Sequence, residues 1–176
     1  MKLSMDALGR DSVEEFKTKN KNQFCFVLDN IRSLHNVGSA FRTADSFAAE
    51  KIWLCGITGT PPNREINKTA LGATESVEWE HQPNTIDVIN QLKNDGWEII
   101  SVEQTSNSTL LQNWKIENKK YAFVFGNEVD GVNEEVIQKS DLVLEIPQFG
   151  TKHSLNVSVT MGIVSWQFIQ LRVESF

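Results

Sequence analysis

Positive charge is scarce in this 176-residue chain: 17 Lys and Arg face 23 Asp and Glu, a net charge of −6. That balance argues against a protein that coats nucleic acid by charge alone, because phosphate affinity comes largely from Lys and Arg. Cysteine is scarcer still. Cys25 and Cys55 each sit in an apolar run with no C-x-x-C spacing and no nearby histidine, so they read as core residues in a reducing setting, not as zinc or redox ligands, and no metal is expected. No stretch reaches the ~18 uninterrupted apolar residues of a membrane span. The opening Met1-Lys-Leu-Ser-Met-Asp lacks the apolar segment of a signal peptide, so a soluble, cytoplasmic protein is expected.

Common nucleotide fingerprints are missing too. No G-x-G-x-x-G follows a strand-like run, which removes support for a dinucleotide site. The segment Gly126 to Gly131 follows one such run, but it lacks the Lys-Ser/Thr pair of a phosphate loop, and Glu128 and Asp130 would repel a triphosphate. That disfavours a nucleotide hydrolase or kinase. Ser154 follows His153, yet there is no G-x-S-x-G elbow, and adjacent side chains of an extended segment point apart.

What is present is a regular alternation. Strand-like runs at Phe24–Leu28, Lys51–Cys55, Ser76–Glu80, Trp97–Val102, Tyr121–Phe125 and Leu142–Ile146 are separated by helical patterns. This predicts one α/β domain with a mainly parallel sheet flanked by helices. Ala40, Ala44, Phe47 and Ala48 predict the inner face of the helix after the first strand. Further helices are expected near Lys68–Leu71, at Thr85–Asp95 and Asn133–Lys139, and over Leu155–Val173. Residues 104–120 are polar and poorly patterned. Ser12 and Glu15 have capping-box spacing, so 1–23 reads as a short helical extension before a main domain over 24–176.

Three segments place small and polar residues just beyond apolar runs, where open α/β sheets put their sites. They are Asn36-x-Gly38-x-x-x-Arg42, Gly126-Asn-Glu128-x-x-Gly131, and Ile146-Pro147-x-x-Gly150-x-x-x-Ser154-Leu155-Asn156-Val157-Ser158. Each has a bland explanation: Asn36 as a helix cap, Asp130-Gly131 as a turn, Ser154 and Asn156 as caps of the last helix, Arg42 as a surface charge. Their joint occurrence, in order and at domain-like spacing, resembles the three motifs of the SpoU, or TrmH-type, branch of the SPOUT RNA methyltransferases.

The resemblance implies methyl transfer from S-adenosylmethionine to a ribose 2′-hydroxyl of RNA, on a fold with a deep C-terminal trefoil knot. It carries over Arg42, Asn36, Glu128, Ser154 and Asn156 as catalytic-site residues, and Gly126, Ile146, Leu155 and Val102 as cofactor positions. It also implies a homodimer. The apolar final helix, carrying Val159, Ile163, Trp166 and Ile169, has enough hydrophobic surface for both a core and an interface, and the sequence does not divide those residues between the two or exclude that all are core. Glycine at 126 and 150 would admit the adenosine, and Glu128 would hold Asn36 or Arg42. With only about 23 residues ahead of the first strand, RNA recognition is expected from the main domain, the short opening helix and the dimer partner. Transfer RNA is the favoured substrate and ribosomal RNA the alternative, with Trp53, Trp79, Trp114 and Tyr121 as stacking candidates where exposed. The rival from another class is a non-catalytic RNA- or cofactor-binding module, against which the intact polar residues speak. Local cations are Lys17, Lys19 and Lys21 at one end, and Arg32, Arg42, Arg64 and Lys68 near two predicted loops.

Overall fold

Seven strands, all parallel where they pair, form one sheet in the order β3-β2-β1-β6-β4-β7-β5 in a computed structural model that describes residues 3 and 8–174. The opening residues weighed as a leader lie largely outside that range. The strands are β1 (Asn22–Asp29), β2 (Ala49–Cys55), β3 (Trp79–Gln82), β4 (Trp97–Val102), β5 (Thr109–Leu110), β6 (Lys120–Phe125) and β7 (Leu142–Glu145). The helices are α1 (Val13–Thr18), α2 (Leu34–Ser46), α3 (Arg64–Ala70), α4 (Ala73–Ser76), α5 (Thr85–Asn94), α6 (Glu134–Lys139) and α7 (Val157–Glu174).

The central strands are apolar on both faces because helices cover both. Phe24, Phe26 and Leu28 of β1, with Phe123 and Phe125 of β6, pack beneath α2 and α7. Cys25 and Val27, with Ala122 and Val124, pack beneath α5 and α6. Phe168 of α7 anchors the first layer, its ring 5.1 Å from Phe24 and 6.0 Å from Phe123. A parallel sheet gathers the carboxyl ends of its strands on one edge. Beside β1 the strand order switches from β2 on one side to β6 on the other, the kind of place where such sheets bind ligands.

Some expectations shift. The strand expected at 76–80 is β3 at Trp79–Gln82, because Ser76 instead closes α4, with its hydroxyl bonded to Asp45 and to the Ala73 carbonyl. Ala40 and Ala44 face inward, but α2 stops at Ser46 and Phe47 is its cap, so Phe47 and Ala48 lie beyond the helix. Residues 104–120 hold β5 and a 3-10 turn at Leu111–Asn113, pinned by the buried Leu111 and Trp114. The capping box of α1 forms as its spacing predicts: Glu15 N meets Ser12 Oγ at 3.2 Å, and Ser12 N meets the Glu15 carboxylate at 2.8 Å. Trp53, Trp114 and Tyr121 are all buried and cannot stack on a nucleobase; Trp79 is half-buried and edge-on to Phe41. Among the described residues, no helix is long and apolar enough to cross a membrane.

Candidate active site

The carboxyl ends of β4, β6 and β7 open into a cavity of about 670 Å³, within the range of small-molecule sites. Four of the sequence-derived cofactor positions line it: Val102 at the end of β4, Gly126 just after β6, Ile146 just after β7, and Leu155 before α7. Glu128, Ser154 and Asn156 line it as well.

Glu128 ties the second motif to the first. One carboxylate oxygen accepts from Ser33 N at 3.1 Å and from Asn36 Nδ2 at 3.0 Å, and the other accepts from Arg32 N at 3.0 Å. Burial pushes this carboxyl up, but the bonds from the Arg32 amide, the Asn36 amide and the Ser33 amide outweigh it and hold the group below its ordinary range. Asn36 lies inside α2 and is not its cap. That role belongs to Ser33, whose hydroxyl accepts from Asn36 N at 3.2 Å, and the Asn36 side chain is thereby left to meet Glu128.

Arg42 stands apart. Six residues beyond Asn36, it is about 9 Å further along α2 and roughly two-thirds of a turn around it. It lines a different depression, with Ser39, Thr43 and Lys68. Within one chain the fold joins Asn36 to Glu128 and leaves Arg42 outside the cavity.

The loop after β6 is built from its own backbone. Asn127 and Gly131 exchange hydrogen bonds at 3.0 and 2.9 Å, and the Asn127 side chain accepts from Val129 N and Asp130 N. A Cβ on Gly126 would lie 2.1 Å from Gly131 C and Val132 N. Glycine at 126 is therefore required by this close backbone approach, a reason separate from and compatible with the cofactor contact expected of it, and a Cβ on Gly150 would meet only open space. Glu103, one residue past β4, was missed by motif reasoning. Its carboxylate accepts from Val132 N at 3.0 Å and fills the space that a side chain at 131 would occupy. Buried Asp29, at the end of β1, likewise accepts from Asn133 N at 3.0 Å and from Thr85 Oγ1 at 2.6 Å, fixing the starts of α6 and α5. A polar residue closing an apolar strand was the available signal for both.

Asn156 does part of what the bland reading assigns to it: its side chain accepts from Ser158 N at 2.8 Å at the start of α7. The cavity wall is acidic. Glu103, Glu128, Asp130, Glu134 and Glu145 line it, and among the described residues neither Lys nor Arg does. Cys25 and Cys55 take no part, since burial pushes both thiols up, that of Cys55 to about 12.

Comparison with known proteins shows what the chain as a whole is similar to. Residues 23–166 match the SpoU rRNA Methylase family. The chain is 33% identical over 138 residues to the 23S rRNA (guanosine-2'-O-)-methyltransferase RlmB of Neisseria meningitidis, covering 78% of this chain and 54% of that relative. It is 28% identical over 170 residues to a tRNA (guanosine(18)-2'-O)-methyltransferase of Borreliella burgdorferi, covering 93% of this chain and 74% of that one. Its fold matches an AdoMet-bound rRNA methyltransferase from Sinorhizobium meliloti with a TM-score of 0.80 at 24% identity, over 88% of this chain and 59% of that one.

Proposed function

The chain belongs to the SpoU rRNA Methylase family, and from that premise we propose that it transfers a methyl group from S-adenosylmethionine to a ribose 2′-hydroxyl of RNA in the cytoplasm, with transfer RNA the favoured substrate. The observation that carries this reading is the Glu128 carboxylate. It locks Asn36 and the β1–α2 loop against a cavity of cofactor size, so residues 92 apart in sequence share one edge of the sheet.

The cavity suits the cofactor. Val102, Phe125, Ile146 and Leu155 offer apolar walls for a flat adenine, and the carboxylates favour a ligand that carries sulfonium and ammonium charges. Strand-end backbone at Val102, Gly126 and Ile146 would hold the adenosine. S-adenosylmethionine supplies an activated methyl group, so the protein's task is largely to position the acceptor. Asn36, Ser154 and Asn156 would orient the ribose, with Asn36 kept in register by Glu128. Arg42 would clamp a substrate phosphate and polarise the hydroxyl. It would not act as the base, because a guanidinium keeps its proton in proteins, and the proton would pass to the phosphate or to water.

A homodimer belongs to the same reading. The outer face of α7 exposes Val159, Ile163 and Trp166 at i, i+4 and i+7, whereas Met161, Val164 and Phe168 fill the core and Ile169 packs against it. We assign the exposed stripe to a homodimer in which Arg42 of one subunit serves the cavity of the other. The trefoil knot belongs to this proposal. What supports it is contact between the 103–119 connection and the 146–156 segment, Gln104 Nε2 donating to the His153 carbonyl at 2.9 Å, and the stacking of Trp114 on Phe168 of α7. Ribosomal RNA is the second reading, since the similar proteins include enzymes named for both substrates.

The test is methyl transfer from labelled S-adenosylmethionine to unmodified RNA, split into transfer and ribosomal fractions, with the product nucleoside identified. A 2′-O-methyl nucleoside in the transfer fraction is expected. Cofactor binding without incorporation into either fraction would favour a binding module instead.

A further inference from the structure

Between α2 and α3 lies a second depression, of about 330 Å³, that shares no lining residue with the cofactor cavity. Ser39, Arg42 and Thr43 form one wall at i, i+3 and i+4 of α2, Lys68 and Thr69 of α3 form the other, and Phe47 contributes to the lining. The walls are held at a fixed separation. Gly38 lets the helices touch, since a Cβ there would lie 2.2 Å from the Ile66 carbonyl oxygen and 2.1 Å from Thr69 Oγ1. Thr69 Oγ1 in turn donates to the His35 carbonyl at 2.9 Å.

The charges are arranged for an anion. Among the described residues the exposed Arg42 forms no ion pair. Lys68 is engaged by both oxygens of Glu65, at 2.7 and 2.9 Å, and Glu65 also meets His35 at 3.1 Å. Among the described residues no carboxylate lines the groove itself.

We propose that this groove is a phosphodiester subsite for the RNA backbone, a step that rests on the methyltransferase reading above. Arg42 and Lys68 flank the phosphate from opposite helices, the Ser39 and Thr43 hydroxyls donate to its oxygens, and Phe47 packs against the adjoining ribose. Glu65 competes with the phosphate for Lys68 and so sets the strength of the site. The arrangement explains how an acidic chain holds a polyanion: cations from two helices converge on one concave spot, with no need for a positive surface overall.

The experiment measures RNA affinity against salt concentration for the wild type, Lys68→Gln and Glu65→Gln, with S-adenosylmethionine affinity and the thermal melt as controls. One lost phosphate contact to single-stranded RNA lowers the salt slope by about 0.7, which is about a fourfold loss of affinity at ~0.15 M salt. Lys68→Gln should show both changes with cofactor binding unaltered, and Glu65→Gln should tighten RNA binding. An unchanged slope and affinity in a normally melting Lys68→Gln protein would overturn the subsite. RNA binding does not depend on turnover, so a wild type that binds RNA with this Lys68 dependence but transfers no methyl group would refute the enzymatic reading and leave the subsite standing.

Discussion

The cofactor cavity and the α2–α3 groove are opposites in both construction and charge. The cavity is walled by strand ends and loops, shaped by backbone hydrogen bonds at Asn127, Gly131 and Val132, and lined, among the described residues, by five carboxylates with no Lys or Arg. The groove is walled by helices, shaped by the contact at Gly38, and lined, among the described residues, by Arg42, Lys68 and hydroxyls with no carboxylate. A net charge of −6 hides this segregation. A cationic small molecule and a polyanionic chain each meet the opposite sign, so the low overall positive charge limits non-specific RNA binding without removing the specific contact.

Two glycines separate the regions most sharply. Gly126→Ala would drive a Cβ into the main chain of Gly131 and Val132 at 2.1 Å, where neither side can yield. A cost of about 3 kcal/mol is expected, with loss of cofactor binding, read by calorimetry and thermal melts. Gly38→Ala would wedge α2 from α3 and should weaken RNA binding while the cavity still takes S-adenosylmethionine. Equal loss of cofactor affinity in both variants would break the distinction between the two regions.

The next largest effect concerns how the regions are brought together. Trp166 is 60% exposed on the outer face of α7, beside Ile163 and Val159. Trp166→Glu should give a monomer by sedimentation that binds the cofactor normally, because one chain builds the cavity, yet transfers methyl groups at least about tenfold more slowly, a barrier rise of ~1.4 kcal/mol. Full activity in a monomer would mean that Arg42 reaches the cavity of its own chain.

Legibility in the sequence followed burial. β1 and β6, covered on both faces, were plain as apolar runs, and the capping box of α1 could be read from Ser12 and Glu15 alone. β3 was misplaced because it has only four residues, none of them buried, and the buried Val77 just before it mimics strand alternation. All three motifs were visible, and the contact between Asn36 and Glu128 was one of two anticipated pairings. The position of Arg42 was not visible, since it depends on the rotation of α2 about its axis, which Ser33 sets by capping three residues earlier than Asn36. The role of Gly126 was also hidden, because a backbone crossing between residues five apart leaves no mark on hydrophobic pattern.

Glu128 tests the cavity side more gently. Its folded pKa lies below the ordinary value, so its charge stabilises the protein above the unfolded pKa of about 4.3, and that contribution is lost as pH falls through the folded value. Glu128→Gln keeps an acceptor for Arg32 N but loses the charge. The gap in melting temperature between wild type and variant should be constant above about pH 5, shrink as pH falls below the unfolded value and vanish below the folded one. A gap that persists in acid would place the effect in packing.

The smallest effect expected is at Ser165, behind both regions. Its hydroxyl is fully buried on the core face of α7 and has no hydrogen-bond partner among the described residues. A buried hydroxyl without a partner costs about 1 kcal/mol or more, and alanine is the better helix former, so Ser165→Ala should raise the melting temperature slightly. Because α7 packs on α2, this core is the scaffold on which the groove stands, and β6 beneath it leads into the cavity. If the regions depend only on the contacts described for each, the variant should leave cofactor affinity and the RNA salt slope unchanged. A change in one of them alone would show that the core beneath α7 is tuned for that region, and the hydroxyl would then have a function that outweighs its cost in stability.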